Sequence, residues 1–233
     1  METYDAVILG DGDFPRSPEA LAVLDNARYL CCCDNAGRRM IEAGRMPDAI
    51  VGDGDSLPLS FKQQYAGIYH QVDEQDYNDL TKATRFCIRH LTEAAEHAEQ
   101  MDKGQQSEYA GQALSRQLTI AYLGTTGKRE DHTIGNIALM AFYRRQFGIK
   151  PVMITDYGTF TVHHQTEQLQ TFQRQQVSIF NISCSQLESK GLKWDAYPYR
   201  ELWQGTLNEA IADTVTIIAD GEYIIYRTHC PKV

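Results

Sequence analysis

The sequence predicts an α/β unit built on a mostly parallel sheet, followed by a small all-β sandwich. Three observations predict it. Short continuous apolar runs ending at Gly or Asp recur through the first two-thirds of the chain, as expected of strands buried on both faces. Segments with a 3.6-residue apolar period lie between some of them, which implies βαβ units. After Thr155 the texture changes to short runs rich in Thr, Val, Ile and Gln. The expected division is residues 1–155 for the α/β unit and 156–233 for the sandwich.

The predicted parallel strands are Asp5–Leu9, Arg28–Cys33, Asp48–Val51, Leu118–Leu123 and Pro151–Thr155. One predicted helix places Leu80, Ala83, Cys87, Ile88 and Leu91 on a single face, and a second does so with Ile134, Ile137, Ala138, Ala141 and Phe142. The stretch from Glu99 to Gln117 is rich in Gln, Ser and Gly and reads as a loose surface insertion. In the last third, Thr159–Val162 and Val177–Ile182 read as strands. Val215–Ala219 and Tyr223–Arg227 flank Asp220-Gly221, the signature of a tight hairpin.

Composition narrows the function. The chain has 233 residues and is 42% hydrophobic, enough for a sizeable core. A formal net charge of -9 argues against nucleic acid or an anionic membrane as partner. A single nucleotide remains compatible, since helix N-termini, one or two cations and metal-bridged carboxylates suffice to hold it. No apolar run approaches the ~20 residues of a membrane span. The start, METYD, has no basic leader, so a cytoplasmic protein is expected. Six cysteines form no CxxC pair, which removes the usual zinc spacing. Cys31–Cys33 alternate across a predicted strand and read as reduced core residues.

Parallel sheets bind ligands beyond the carboxyl ends of their strands, so the residues following each run carry the functional signal. A P-loop is absent, because Gly124 and Gly127 stand too close together for GxxxxGK[ST]. No GxGxxG follows a strand. Three polar clusters are present instead. Gly52-Asp53-Gly54-Asp55-Ser56 offers two carboxylates separated by a Gly that permits a tight backbone. Converging carboxylates repel unless a cation joins them, and Mg²⁺ is the natural one. Alone this pattern is a common polar turn, as Asp11-Gly12-Asp13 illustrates.

The second cluster, Glu74-Gln75-Asp76-Tyr77-Asn78-Asp79 with Lys82, opens the first helix. Asn78 fits an N-cap, and Asp76, Asp79 and Lys82 follow i,i+3 spacing. Capping alone explains acids here. The third cluster, Gly124-Thr-Thr-Gly127-Lys128-Arg129-Glu130-Asp131-His132 with Asn136, joins a strand to the second helix. Gly-rich backbone, Lys, Arg and a helix N-terminus together suit phosphate. His132 has no second His at i+4 and reads as a hydrogen-bonding residue. An acidic end and a basic end together describe a Mg-nucleotide site for in-line phosphoryl transfer.

These motifs carry a resemblance. Pro47-Asp48-Ala49-Ile50-Val51-Gly52-Asp53-Gly54-Asp55-Ser56 resembles the PDxIxGDxDS of thiamine pyrophosphokinases. Residues 74–83 are similar to that family's DQDxTDxxKA, and residues 127–136 to its GGRxDHxxxN. Gly191-Leu192-Lys193-Trp194 resembles GLKW, and Gly205-Thr206-Leu207-Asn208 resembles STSN. The motifs keep the family's order over nearly the whole chain.

The resemblance implies a homodimer that transfers a pyrophosphoryl group from ATP to the hydroxyl of thiamine, giving thiamine diphosphate and AMP. It implies Mg²⁺ on Asp53, Asp55 and Asp79. Gln75, Asn78, Lys82, Lys128, Arg129 and His132 would meet ATP, and Asp131 would lie near the reacting centre. Trp194, Leu207 and Asn208 would meet thiamine, with Trp194 reaching across the dimer interface; Trp is the best aromatic partner for a cationic thiazolium. Four positions depart from the pattern: Glu74 for Asp, Asn78 for Thr, Lys128 for Gly, and Leu207 for a Ser that faces thiamine. Other readings of the same clusters are a Mg-dependent nucleotide phosphohydrolase and a non-catalytic nucleotide-sensing module. A glycosyltransferase reading of the DxD has no further support.

Overall fold

The computed structural model describes residues 3–102 and 117–232, with side chains omitted for 98–102. Its first half alternates strand and helix: β1 (Ala6–Leu9), α1 (Pro18–Asp25), β2 (Leu30–Cys33), α2 (Asn35–Glu42), β3 (Ala49–Gly52), α3 (Leu59–Gln64) and β4 (Tyr69–Gln71). Then come α4 (Asp79–Asp102), β5 (Thr119–Leu123), α5 (Glu130–Phe147) and β6 (Lys150–Ile154). Strands β6-β5-β1-β2-β3-β4 lie side by side, every pair parallel. The five expected strands are present, each within two residues of its expected ends.

Strand alternation divides the core into two layers. Ala6, Ile8, Cys31, Cys33, Ala49 and Val51 pack against Leu80, Ala83 and Cys87 of α4 and Met140, Ala141 and Tyr143 of α5. Val7, Leu9, Leu30, Cys32 and Ile50 face the opposite side, against α1 and α2. The three consecutive cysteines thus fall on alternate faces, free and buried; Cys230 is also free but exposed. Ile134 and Ala138, expected on the buried face of α5, are exposed, Ile134 at 65%; that face is set instead by Ile137, Met140, Ala141 and Tyr143. Asp76 precedes the N-cap and does not share the helical face of Asp79 and Lys82. Of the expected insertion, Glu99–Asp102 continue α4, and residues 103–116 lie outside the described residues.

The remaining strands are β7 (Gly158–His164), β8 (Glu167–Gln170), β9 (Gln175–Asn181), β10 (Leu187–Lys190), β11 (Asn208–Glu209), β12 (Thr214–Ala219) and β13 (Glu222–Pro231). Strand β7 pairs antiparallel with β6, so the sheet continues without interruption into β13, β9 and β11 as one ten-stranded sheet. A second sheet, β10-β12-β8, covers its far end. Tyr223 and Ile225 of β13 enter the core between the two sheets, while Ile224 joins the layer under α5.

The expected Asp220-Gly221 hairpin is not formed. Strand β12 pairs with β10 and β8, and β13 pairs with β7 and β9, so the turn carries the chain from one sheet to the other. Neither Asp220 nor Gly221 takes a positive φ, which a type I′ hairpin turn requires. The Asp220 carboxylate accepts the N–H groups of Ser185 and Gln186 at 2.8 and 2.9 Å and the Ser185 hydroxyl. These bonds tie the turn to the neighbouring loop rather than closing it on itself.

Because the sheet is continuous, unfolding is expected as one calorimetric transition. Ile224→Ala, at a residue 4% exposed, should lower it by about 3 kcal/mol. Two resolved transitions, only one of them shifted, would contradict a shared core.

Candidate active site

The carboxyl ends of β1, β2, β3 and β5 open into a cavity of about 800 Å³. Asp34 ends β2, Asp53 follows β3, and Asp79 begins α4. Parallel strand order brings these three together: one carboxylate oxygen from each lies within 4.8 Å of the others. Gly54 makes the turn possible. Its φ is +75°, and an added Cβ would stand 2.1 Å from the Tyr69 hydroxyl and 2.5 Å from Lys62 Nζ.

Lys82 lies behind the acids, 4% exposed, with Nζ 3.2 Å from both Asp53 and Asp79. One ammonium does not balance three carboxylates, and the imbalance is visible in their acidities. Burial and the nearby Asp79 and Asp53 push the Asp34 carboxyl up to about 6. Burial also raises Asp79, outweighing Lys82. For Asp53 burial is outweighed by the Asp55 N–H and by Lys82, and its carboxyl sits below the usual range. The two carboxylates in turn raise Lys82 despite its burial. Hard oxygen donors held this close are the donor set a divalent cation such as Mg²⁺ takes.

The basic wall is the β5–α5 loop. Lys128 has φ +58°, a left-handed backbone costly for Lys and natural for the Gly that the motif usually carries here. Its ammonium lies 3.0 Å from Asp11, which Arg39 also approaches at 3.2 Å. Arg129 grips Asp131 with two bonds of 3.1 and 2.6 Å, both side chains exposed. Asn136 donates to Thr125 O at 2.8 Å, and Asn78 donates to Asn136 Oδ1 at 3.4 Å. Asn78 also caps α4, accepting the Thr81 N–H at 3.0 Å. These bonds fasten the starts of both helices to the Gly-rich loop.

Thus Asp53, Asp55, Asn78, Asp79, Lys128, Arg129 and His132 line one cavity, with Lys82 behind it. Asp55 borders the cavity but stands outside the close group of carboxylates; its N–H donates to Asp53. Gln75 and Asp131 are exposed and do not line the cavity. Glu74 pairs with Arg85 at 2.9 Å. Sequence reasoning misses Asp34, Asp11 and Arg39. Asp34 carries the same signal as Asp53, an acid at the end of an apolar run, but no second acid beside it.

Trp194, Leu207 and Asn208 lie elsewhere. With Tyr197, Tyr199 and Thr206 they border a separate cleft of about 310 Å³ on the sandwich, which shares no lining residue with the acidic cavity. Buried Asn208 accepts the Trp194 N–H at 3.2 Å and donates to Trp194 O at 2.8 Å, fixing that backbone. Lys193 Nζ lies 4.9 Å from the Trp194 ring centroid. Leu207 takes φ +65° and is 67% exposed.

The model of the thiamin pyrophosphokinase catalytic domain matches residues 20–152, and that of the thiamin pyrophosphokinase substrate-binding domain matches residues 158–226. The chain belongs to the thiamin pyrophosphokinase family. It is 25% identical over 169 residues to thiamine pyrophosphokinase 1 of Oryza sativa subsp. japonica; the match covers 66% of this chain and 56% of that relative. Among solved structures it shares the fold of yeast thiamin pyrophosphokinase, with a TM-score of 0.74 at 16% identity over 98% of this chain and 87% of that one. Thiamin pyrophosphokinase from Candida albicans gives a TM-score of 0.71 at 17% identity, covering 96% and 88%. That from Bacillus subtilis gives 0.65 at 18%, covering 96% and 98%. The family's two units meet where the strand pairing changes from parallel to antiparallel, between β6 and β7. No helix among the described residues is long and apolar enough to cross a membrane.

The crowded acids predict a pH effect. Above pH 6 folding must bury the Asp34 charge, whereas below its unfolded pKa the group is neutral in both states. Stability contributed at this position therefore falls as pH rises from about 4 to about 6. Asp34→Asn should stabilise the metal-free protein at pH 7.5 by on the order of 2 kcal/mol, with the gain vanishing near pH 4. Chemical denaturation at the two pH values checks this; equal effects at both would contradict the charge argument.

Proposed function

We propose that the chain transfers the pyrophosphoryl group of ATP to the hydroxyl of thiamine, giving thiamine diphosphate and AMP. The observation that carries this is the meeting of Asp34, Asp53 and Asp79 in one cavity with Lys128 and Arg129. Family membership supplies the two substrates. Residues 1–155 are read as the nucleotide- and Mg²⁺-binding unit, and 156–233 as the unit for thiamine and dimer formation.

Asp53 and Asp79, held in place by Lys82, would bind Mg²⁺ together with Asp34, while Asp55 borders the same site. Bound there, Mg²⁺ would neutralise charge building on the phosphate oxygens. Lys128 would give the phosphate chain a point charge, and Arg129 a planar fork once it turns from Asp131. His132 and Asn78 flank the same space. Asp131, freed by that turn, would help to orient the attacking hydroxyl. Catalysis in this scheme is positioning and charge neutralisation.

The aromatic cleft would hold thiamine. Lys193 already places a cation near the Trp194 ring, and a thiazolium would use the same attraction. Leu207 offers an apolar contact where the family pattern has a hydroxyl. Trp194, Leu202, Trp203, Leu207 and Ile211 are each more than half exposed, a surface suited to a second copy of the chain. A homodimer would set the cleft of one protomer beside the acidic cavity of its partner.

AMP should form from Mg-ATP only when thiamine is present. AMP or phosphate appearing equally without thiamine would instead favour a nucleotide phosphohydrolase, and ATP binding without any turnover would favour a sensing module. Asp53→Asn and Asp79→Asn should each reduce kcat on the order of 100-fold or more with the fold intact. Trp194→Ala should raise KM for thiamine about tenfold while leaving KM for ATP nearly unchanged; equal rises in both would assign Trp194 a structural role.

A further inference from the structure

A line of hydrogen bonds joins the core between α4 and α5 to the acidic cavity. Tyr143 of α5 is fully buried, its ring stacked on Tyr122 and Phe147 with centroids 5.6 and 5.7 Å away. Its hydroxyl lies 2.8 Å from Oγ1 of Thr81, a residue 1% exposed in the first turn of α4. Thr81 Oγ1 in turn lies 2.8 Å from Asn78 Oδ1. The line continues from Asn78 Nδ2 to Asn136 Oδ1 at 3.4 Å and from Asn136 Nδ2 to Thr125 O at 2.8 Å. Asn78, Asn136 and Thr125 all border the cavity.

The direction of every bond in this line is fixed by its ends. The Thr81 backbone N–H can only donate, and the Asn78 atom 3.0 Å from it is therefore the amide oxygen. Thr81 spends its single hydroxyl hydrogen on the same oxygen, so Tyr143 must supply the O–H between the two hydroxyls. At the other end Thr125 O can only accept. Asn136 must present Nδ2 to it and Oδ1 to Asn78. Neither amide can turn over without setting like groups against each other. Thr84 and Thr92, on the same helix, bond instead the carbonyls four residues back at 2.7 and 2.9 Å, the common choice of a helical Thr.

Locked in this way, Asn78 and Asn136 each keep one amide hydrogen that no acceptor among the described residues takes. Next to them Thr125, 3% exposed, has a buried Oγ1 with no partner among the described residues. Uncommitted donors thus line the cavity that holds Asp34, Asp53 and Asp79. An anionic oxygen is the acceptor that completes such donors most strongly. The Thr usual at position 78 has no amide to orient, so this arrangement is particular to Asn78.

We propose that Thr81, anchored by Tyr143, is a positioning residue that holds the Asn78 amide as a donor to an anionic oxygen of the phosphate-bearing substrate. The inference rests on the proposed pyrophosphoryl transfer. The affinity for Mg-ATP by titration calorimetry, measured beside Tm, tests it. Thr81→Val keeps the shape and loses the hydroxyl, whereas Thr81→Ser keeps the hydroxyl and loses a methyl group. Thr81→Val should weaken Mg-ATP about fivefold and Thr81→Ser by less than about twofold, although both lower Tm. Asn78→Ser keeps the helix cap without the amide. In that background Thr81→Val should cost less than about a further twofold, because its effect passes through Asn78.

Unchanged affinity in Thr81→Val, an equal loss in Thr81→Ser, or a full fivefold loss in the Asn78→Ser background overturns the inference. Should Thr81→Val fail to fold, Tyr143→Phe takes its place, with a loss of about threefold that again vanishes in the Asn78→Ser background. A Tyr143→Phe loss that persists there overturns it equally. A wild-type protein that binds no Mg-ATP overturns the proposed function, and this inference with it.

Discussion

Mutual repulsion among Asp34, Asp53 and Asp79 is the constraint around which the rest of the site is arranged. Their oxygens converge within 4.8 Å because three successive stretches of a parallel sheet end at the same edge. The acids secure part of this geometry themselves, Asp34 accepting the Gly54 N–H at 3.0 Å and Asp53 that of Asp55 at 3.2 Å, and their neighbours secure the rest. Gly54 gives up its side chain, Asn78 caps α4, and Lys82 is buried between two of the three charges. The sheet tolerates the cluster because its core is made elsewhere, in two apolar layers above and below the strands. Function and stability are therefore opposed at this point in the fold, as is common where charge is held for chemistry.

The parallel half of the fold is legible because strands covered on both faces must be continuously apolar. Four-residue runs such as Ala6–Leu9 and Leu30–Cys33 stand out against polar neighbours. Helices α1, α2 and α3, of eight, eight and six residues, are too short to establish a period. In the sandwich the local signals are read correctly as strands, but their pairing is not local. Asp220-Gly221 sits between two strands as a hairpin signal would. The bonds that decide its geometry come from Ser185 and Gln186, distant in sequence, and no local pattern reports them.

The site follows the same logic. Asp53, Asp79, Lys82, Lys128 and Arg129 are legible because each belongs to a dense polar cluster after a strand. Asp34 is a single acid whose partners lie on other elements, so only strand order reveals it. Asp11 is dismissed in the sequence as a chance polar turn, yet it holds Lys128 and Arg39 at the cavity rim. The separation of the Trp194 cleft from the acids is equally invisible in one dimension. The ten-stranded sheet joins the two regions without bringing them into contact within one chain.

The central claim is that the fold holds three carboxylates ready for one divalent cation. Titration of Mg²⁺ into the nucleotide-free protein, followed by thermal unfolding at constant ionic strength, tests this most directly. The account predicts a saturable rise in Tm with Mg²⁺ that NaCl does not reproduce and that Asp34→Asn diminishes. A Tm that responds to Mg²⁺ no more than to matched NaCl would contradict it.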